Sequence, residues 1–496
     1  MYQVPPRLSI TRTLLFMVVT LALCYFILFT WKRRRLYYCS LKLPGPFGLP
    51  LLGSAHMMRG GPADGYNVLV RVAQYAPVTR AWFGPFLFVV ITRPEDMDIL
   101  LSRYLDKSMF YGKYLTDTIR TALPSSPVSI WKERRRAINH TFNSATITSF
   151  VPIFVKHATR LADTTLTNMC GEKNIPQDLF PKIWKHALQA SCEALGDVCP
   201  DLLETTDKYI AAAFRFEEIL RRRFFRPHLN LDFFWKESSL RKEQLETGQI
   251  FEDFVQQVID TKKTRFRNDD TFLKDRRFLN YLLDLNSDGK IKREGVLDES
   301  AFMFHAASET SSVTISTVLV MLGLHPHIQE KVYHEVSKFT TITIDEINQM
   351  DYLERVIKET LRIFPSVSFL LRKVDKEIKL DSYFIPAGCE ILIPLPHLHR
   401  RPDLWPDPLK FDPDRFLPQE IEKRHRCAFI PFSVGPRNCP GSKYAMLSLK
   451  IFLATALRRF RVVKCVDYKT VEDLDLEFYI IGKAKKGYRV VLEERQ

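Results

Sequence analysis

The run Phe432-Ser-Val-Gly435-Pro-Arg437-Asn-Cys439-Pro-Gly441 carries more information about fold and function than any other ten residues of the chain. It places a single cysteine in a loop with two glycines and an arginine, just before a helical stretch. The glycines let the backbone turn back and bring N–H groups toward the sulfur. Those donors, together with Arg437, would favour thiolate over thiol. The loop is therefore predicted to present one thiolate to a metal, although an isolated free cysteine is more often a plain buried side chain.

The composition is that of a folded, enzyme-sized protein with a basic surface. The chain has 496 residues, 46% of them hydrophobic, and a formal net charge of +15. Its nine cysteines form no C-x-x-C pair, which favours a reducing compartment and argues against structural zinc. The charge suits an anionic membrane or an acidic protein partner. Nucleic acid is excluded as a partner because no nucleic-acid-binding motif accompanies the charge.

The amino terminus predicts a membrane anchor. Thr13 to Trp31 contains no charged residue and is about long enough to cross a bilayer. Lys32 to Arg35 is a positive cluster, which places the downstream chain in the cytosol. A cleaved secretory signal is the alternative, but no small-residue cleavage site precedes the arginines. We therefore predict an anchor over 1–31, a basic and proline-rich linker over 32–52, and one catalytic domain over 53–496.

The sequence after the linker predicts mainly α-helix with small β-sheets. Val78 to Thr92 has a strand–turn–strand pattern, and helical stretches then dominate to about residue 375. Short strand-like runs follow from Asp381 to Pro396, and Thr470 to Glu493 again alternates like β-structure. This arrangement predicts an α-dominated fold with minor sheets near its two ends.

Two further motifs accompany the cysteine loop. Glu359 and Arg362 share one face of a helix that Pro365 ends, and Arg415 lies in Pro-Asp-Arg-Phe between that helix and the loop. Alone, such a pair is usually a surface ion pair. The second motif lies in a predicted helix from Asp298 to Leu324, where small residues precede an acid and a hydroxyl that together can relay protons. An ordinary core helix is the alternative for this segment.

Taken together, these motifs resemble those of the cytochromes P450. The spacing Phe-x-x-Gly-x-Arg-x-Cys-x-Gly matches the haem-binding loop of that family at all five fixed positions, and the motifs follow the family's order. The whole chain is similar to insect microsomal P450s of the group related to fatty-acid hydroxylases. The resemblance implies the P450 fold, with the haem between the long central helix and the cysteine loop.

The resemblance also implies a haem site. It would be haem b, held without covalent bonds apart from ligation of the iron by the Cys439 thiolate, with Phe432, Gly435 and Gly441 shaping the loop. The triad Glu359, Arg362 and Arg415 would brace that loop from behind. The haem propionates would meet four further side chains: Trp131, Arg135, Arg372 and Arg437.

On the opposite side of the haem, Thr310 would orient dioxygen and Glu309 would help deliver protons. Ala307 stands where the family usually has glycine. Ala306 stands where many fatty-acid hydroxylases of the family have the glutamate that forms an ester with the haem, so no ester link is expected. The lining of the substrate pocket is expected from Met109 to Pro127 and from Ala213 to Trp235.

The implied reaction is a monooxygenation of a lipophilic substrate, either a xenobiotic, a fatty acid or a hormone-like lipid. The chain has no flavin or nicotinamide fingerprint, so its electrons would come from NADPH through cytochrome P450 reductase, with cytochrome b5 as an additional donor. The anchor would lie in the endoplasmic reticulum membrane. A peroxide-rearranging relative and a non-catalytic haem-thiolate ligand-binding protein are the alternatives. The predicted docking patch for the electron donor is Lys132, Arg134, Arg136, Lys423, Arg424, Arg426 and Lys443.

Overall fold

The computed structural model describes residues 6–49, 52–58, 65–75, 77–120, 122–171, 175–198, 205–265, 277–380, 383–477 and 480–495. The helices before the central one are α1 (Pro6–Lys32), α2 (Arg34–Leu41), α3 (Gly65–Ala73), α4 (Pro94–Arg103), α5 (Met109–Leu115), α6 (Val128–Thr141), α7 (Ser144–Thr148), α8 (Val151–Arg160), α9 (Thr167–Gly171), α10 (Leu179–Gly196), α11 (Thr206–Phe224), α12 (Asp232–Lys236), α13 (Ser239–Arg265) and α14 (Phe278–Ser287). The central and later helices are α15 (Arg293–Leu324), α16 (Pro326–Val336), α17 (Ile344–Asn348), α18 (Asp351–Ile363), α19 (Leu395–Leu398), α20 (Pro418–Glu422) and α21 (Ser442–Arg459). The predicted mainly helical fold is confirmed.

The strands form small sheets at the edges of the helical body. They are β1 (Val78–Phe83), β2 (Phe86–Ile91), β3 (Gln177–Asp178), β4 (Phe369–Lys373), β5 (Ile378–Lys379), β6 (Phe384–Ile385), β7 (Glu390–Pro394), β8 (Phe460–Cys465) and β9 (Arg489–Glu494). The largest sheet has the order β1-β2-β7-β4, in which only the β2–β7 pair is parallel. A second sheet has the order β3-β9-β8, and β5 pairs with β6.

Helix α15 runs through the middle of the body. It packs against α10, α13, α18 and α21, and most of its side chains are buried. A helix that is apolar all round is stable only when other elements cover it. The helix begins at Arg293, five residues before the predicted start at Asp298, and ends at Leu324 as predicted. The sequence could not place the start because 293–297 carries no capping side chain.

Two secondary-structure predictions were partly wrong. Strand β4 lies inside the region predicted to be helical, because the short apolar run at 367–371 fits a buried strand as well as a helix. Among the described residues of the predicted β-segment 470–493, strand formation is confined to β9 (Arg489–Glu494), and the described residues before it form turns with isolated bridges. The predicted segment from Asp381 begins on two residues outside the described ones.

The amino-terminal helix has the length and composition to cross a membrane. Thr11–Lys32 has a mean hydropathy of 2.4, and none of it is buried against the body. Helix α2 follows directly, and Leu36 and Leu43 pack into the core beneath the largest sheet. Arg80 of β1 donates hydrogen bonds to the carbonyl oxygens of Ser40 (3.0 Å) and Leu43 (2.9 Å). The segment after α1 is therefore docked onto the body.

Candidate active site

The cysteine loop connects the sheet side of the molecule to α21. Its turn depends on Gly435, whose φ is +76°, and whose missing side chain leaves room for the carbonyl oxygen of Leu101. The backbone N–H of Cys439 donates to the carbonyl oxygen of Phe432 at 2.9 Å, which closes the loop. Gly441 caps the amino terminus of α21. The loop therefore holds the cysteine at the start of a long, buried helix.

The electrostatics at Cys439 differ from the prediction. Burial raises the pKa of the thiol, while the Gly441 N–H and Arg135 act in the opposite direction. Arg135, rather than Arg437, is thus the cation that favours the thiolate. The backbone donor therefore acts in the predicted direction, but the desolvation of the buried sulfur outweighs it and Arg135 together. Thiolate at this sulfur requires a further positive partner.

Behind the loop, Glu359, Arg362 and Arg415 come together as a buried group that we call the loop-side cluster. Arg362 donates to both carboxylate oxygens of Glu359, at 2.7 and 2.8 Å, and both side chains are fully buried. Arg415 lies farther away, with its Nε 3.6 Å from Glu359 Oε1. The backbone N–H of Asp412 also donates to Glu359, at 2.9 Å. The cluster therefore joins α18 to the chain segment that precedes the cysteine loop.

His399 extends this cluster to the loop, although its sequence position suggested no function. Arg362 Nη1 donates to the carbonyl oxygen of His399 at 3.0 Å, and the Ile430 N–H donates to His399 Nε2 at 3.0 Å. Burial and the nearby Arg362 lower the pKa of His399 to about 3, so its imidazole is neutral and can accept that bond. This link could not be predicted because it joins residues that are far apart in the sequence.

Helix α15 lines the same cavity as Cys439. Ala306, Ala307 and Thr310 line the cavity there. The Thr310 hydroxyl donates to the carbonyl oxygen of Ala306 at 2.7 Å, as serine and threonine hydroxyls along this helix do to the residue four earlier. Small side chains keep this wall shallow, and Thr310 places a hydroxyl on it.

Glu309 points into a second buried group, the cavity-side cluster of Glu217, His305, Glu309 and Lys483. Lys483 Nζ lies 2.6 Å from Glu309 Oε1 and also contacts Glu217, and His305 Nε2 lies 2.9 Å from Glu309 Oε2. Burial opposes the charge on Glu309, but Lys483 and His305 more than offset it and hold its pKa well below the usual range. Burial and the charge on Glu309 raise the pKa of Glu217 well above normal. Sequence analysis singled out only Glu309 of these four residues.

The predicted propionate-binding residues converge beside the cysteine loop. Arg437 is buried and donates to the carbonyl oxygens of Leu105 (3.0 Å) and Ser126 (3.2 Å), and its guanidinium lies over the Trp131 ring at 4.2 Å. Arg135 donates to the carbonyl (2.7 Å) and side-chain (2.6 Å) oxygens of Asn438. These contacts fix both guanidinium groups at the cavity wall.

Arg372 shows that the site is built for an anion. It is 1% exposed, and its Nε and Nη2 have no hydrogen-bond partner among the described residues. Lys107, which sequence analysis missed, is also close. Burial, followed by the charges of Arg372 and Arg437, lowers the pKa of Lys107 well below normal. Buried cations are costly unless they are paired, so the carboxylates of a haem fit this cluster.

The cavity that the cysteine loop and α15 line has a volume of about 440 Å³. Cys439, Phe432, Trp131, Arg135 and Arg437 line one side, and most of the remaining lining is aliphatic or aromatic. Both predicted pocket segments contribute, through α5 and α11. This combination of a loop cysteine, buried cations and a shallow helix wall fits a flat iron–porphyrin with apolar space above it.

The predicted basic patch is only partly exposed. Arg134 pairs with Glu299 at 2.7 Å, and Arg424 lies over the Trp405 ring at 4.3 Å, so neither is a free surface charge. Lys132, Arg136, Lys423, Arg426 and Lys443 are exposed. Of these, Lys423 pairs with Glu420 and Arg426 pairs with Asp98.

Comparison with known proteins agrees with this geometry. Residues 43–491 match the family model described as Cytochrome P450. The chain is 32% identical to Cytochrome P450 4g1 of Drosophila melanogaster, over 94% of this chain and 91% of that protein. It is 31% identical to Cytochrome P450 4c21 of Blattella germanica, over 96% and 98%, and 30% identical to human Cytochrome P450 4V2, over 90% and 88%. The chain belongs to the cytochrome P450 family, which makes it a haem-thiolate monooxygenase.

Proposed function

We propose that this chain is a membrane-anchored monooxygenase that inserts one oxygen atom of O2 into a lipophilic substrate. The substrate class is a xenobiotic, a fatty acid or a hormone-like lipid. The observation that supports the proposal is the cavity itself, because Cys439 and Thr310 both line one largely apolar space. A substrate in that space would lie between the haem and α11.

The haem is proposed to be haem b, with Cys439 as the iron ligand and no ester link, since Ala306 offers no carboxylate. When bound, a thiolate-ligated haem supplies the chemistry that cleaves the O–O bond. Arg372, Arg437 and Arg135, with Trp131, hold its propionates. The positive iron is the partner that the buried Cys439 thiolate needs.

The chain's own residues supply exclusion of water and a place for protons. Phe110, Phe216, Phe224 and Phe302 belong to an apolar lining that keeps water away from the reacting atoms. Thr310 is one of the hydroxyl side chains of α15 that line that space, and rotation about its χ1 would release its bond to Ala306 toward a bound molecule. Glu309 precedes Thr310 in the chain and is held by Lys483 and His305. It is the acid that is proposed to supply protons.

Electrons are proposed to come from NADPH through cytochrome P450 reductase, with cytochrome b5 as an additional donor. Lys132, Arg136 and Lys443 are exposed on the helices α6 and α21 that flank the cysteine loop. A positive surface there would speed encounter with an acidic partner. We also propose that α1 anchors the chain in the endoplasmic reticulum membrane, and that 1–31, 32–52 and 53–496 are anchor, linker and catalytic domain.

The function is tested by reconstituting the purified full chain with the reductase, NADPH and 18O2 in the presence of a panel of lipophiles. One 18O atom per product molecule is expected, and product should require both NADPH and the reductase. Turnover of organic peroxides without either would instead support peroxide rearrangement. Binding of lipophiles without any oxygenated product would support a ligand-binding role.

A further inference from the structure

The cavity-side cluster joins three segments of the chain at one side chain, Lys483. Its ammonium group contacts Glu217 of α11 and lies 2.6 Å from Glu309 of α15. Lys483 itself belongs to the carboxyl-terminal segment and is 8% exposed. Glu217 and Glu309 are 8% and 1% exposed. A single buried cation thus connects the helix above the cavity to the helix that forms its wall.

Aromatic rings surround the same ammonium group. Lys483 Nζ lies 4.8 Å from the ring centre of Phe180, 5.0 Å from that of Phe214 and 5.2 Å from that of Trp184. Trp184 in turn donates to Ser308 Oγ of α15 at 3.1 Å. Cation–π contacts are strongest where the cation is desolvated. Helix α10 therefore also contacts Lys483, so four segments of the chain meet at this side chain.

The carboxyl-terminal segment that carries Lys483 also lines the cavity. Ile480 and Ile481, three and two residues earlier, are part of the cavity wall. Ile481 pairs with Val367 in an isolated bridge, and the Gly482 N–H donates to the carbonyl oxygen of Ser366 at 2.8 Å. A side chain at position 482 would meet Ser368 Oγ at 2.7 Å, so this segment has little freedom to shift sideways.

We propose that Lys483 is a positioning residue that determines which apolar ligands the cavity accepts, because it fixes α11 and the Ile480–Ile481 wall against α15. This proposal rests on the haem site described above but not on oxygenase activity. Removing the cation would leave Glu217 and Glu309 facing each other in a buried space. Without the cation, α11 would lose its charged contact with the carboxyl-terminal segment and, through it, with α15, so α11 could shift relative to α15 and the cavity would lose its defined length.

The test measures ligand binding by the haem-loaded protein with imidazole and a series of 1-alkylimidazoles from butyl to dodecyl. Imidazole coordinates the iron, so its Kd reports on the haem side of the cavity. The affinity gained by adding the alkyl chain reports on the space next to α11. In the unmodified protein, affinity is expected to rise with chain length to a clear optimum. The gain in affinity is the Kd of imidazole divided by the Kd of the best alkylimidazole. In Lys483→Met this gain is expected to fall at least fivefold, while the Kd of imidazole itself changes less than twofold.

Two further variants connect the effect to the proposed contacts. Lys483→Met combined with Glu217→Met should restore the gain to within threefold of the unmodified value, because His305 remains as a partner for Glu309 and the new methionines fill similar volume. Lys486→Met, on the exposed part of the same segment, is the matched control and should change nothing. If Lys483→Met yields no haem-loaded protein, Glu217→Met alone, which removes the contact between α11 and Lys483, should still reduce the gain at least twofold.

The proposal is overturned if the gain in Lys483→Met falls less than fivefold, or if imidazole and the alkylimidazoles weaken equally, which would indicate a general structural role. An unchanged profile in Glu217→Met alone would overturn it as well. If imidazole causes no spectral shift in the unmodified protein, the haem site is wrong and this proposal fails with it. If imidazole shifts the spectrum normally but Lys483→Met leaves the dependence of affinity on alkyl-chain length unchanged, the role of Lys483 is rejected and the haem site is not.

Discussion

The two buried charge clusters of this protein have similar chemistry but different positions. In the loop-side cluster, Glu359 is bound by Arg362 through two hydrogen bonds and accepts a third from the Asp412 N–H, and none of the cluster's three residues lines the cavity. In the cavity-side cluster, Lys483 lies between Glu217 and Glu309, both of which line the cavity. The first can hold the cysteine loop, and the second can also influence what binds. Position relative to the cavity, rather than the kind of ion pair, separates a bracing cluster from one that affects ligands.

The largest effect is expected from breaking the loop-side cluster with Arg362→Met. Removing one partner of a buried pair costs about 3–5 kcal/mol, which is comparable to the whole stability of many proteins. We expect little soluble, haem-loaded protein, measured as haem content and thermal midpoint. Lys358→Met, which removes a half-buried ion pair with Glu354 from the same helix, should cost about 1 kcal/mol or less. Equal haem content in the two variants would contradict a bracing role for the cluster.

The next largest effect is expected at Arg372, one of the buried cations beside the cysteine loop. Arg372→Leu removes two buried nitrogens that have no hydrogen-bond partner among the described residues. Hydrogen bonds to charged groups contribute about 1.5–3 kcal/mol, so haem transfer to apomyoglobin should be about tenfold faster or more. Lys373→Met is the control, because that lysine is exposed and paired with Asp375. Identical transfer rates would show that Arg372 does not hold the haem.

A smaller effect is expected at Thr310, on the helix α15 that lines the cavity. Thr310→Val should keep the haem spectrum but lower the product formed per NADPH by about tenfold, because loss of a proton-handling group costs at least that much in typical enzymes. Thr317→Val removes a similar hydroxyl that donates to Val313 and lies away from the cavity. Unchanged coupling in Thr310→Val, or an equal loss in both variants, would reject the role of Thr310.

The smallest effect concerns Glu299, a buried carboxylate outside both clusters. It pairs with Arg134 and accepts a hydrogen bond from the Leu123 N–H at 3.1 Å. Burial raises its pKa to about 7 despite these partners. The folded state therefore holds a proton that the unfolded state has lost, so stability falls as pH rises from the unfolded pKa toward about 7. Between pH 6 and pH 7 this loss is about 1 kcal/mol. Glu299→Gln should flatten the thermal midpoint against pH over that interval, and an unchanged slope would contradict the assignment.

The sequence predicted one cluster and not the other for a physical reason. Glu359 and Arg362 are three residues apart on a helix, so local geometry brings them together, and the Pro-Asp-Arg-Phe motif added Arg415. The cavity-side cluster joins positions 217, 305, 309 and 483, of which only two are neighbours on one helix. Such a group depends on how α11 and the carboxyl-terminal segment pack, and no local pattern specifies that packing.

The same limit applies to the fold and the cations. The long apolar helix α15 and the β1–β2 hairpin were predictable because their periodicity is local. Strand β4 was missed because its partner, β7, is about twenty residues away and the apolar run alone fits either structure. Lys107 carries no signal in the sequence, since only its proximity to Arg372 and Arg437 distinguishes it from a surface lysine.

The central claim is that Cys439 is the thiolate ligand of a haem in this cavity. The carbon monoxide difference spectrum of the reduced full-length protein tests it most directly. We predict the long-wavelength band typical of thiolate ligation in the unmodified protein and in Cys427→Ala, which removes a buried cysteine near the same loop. We predict that this band is lost in Cys439→Ala. Normal haem content with an unchanged band in Cys439→Ala would contradict the account.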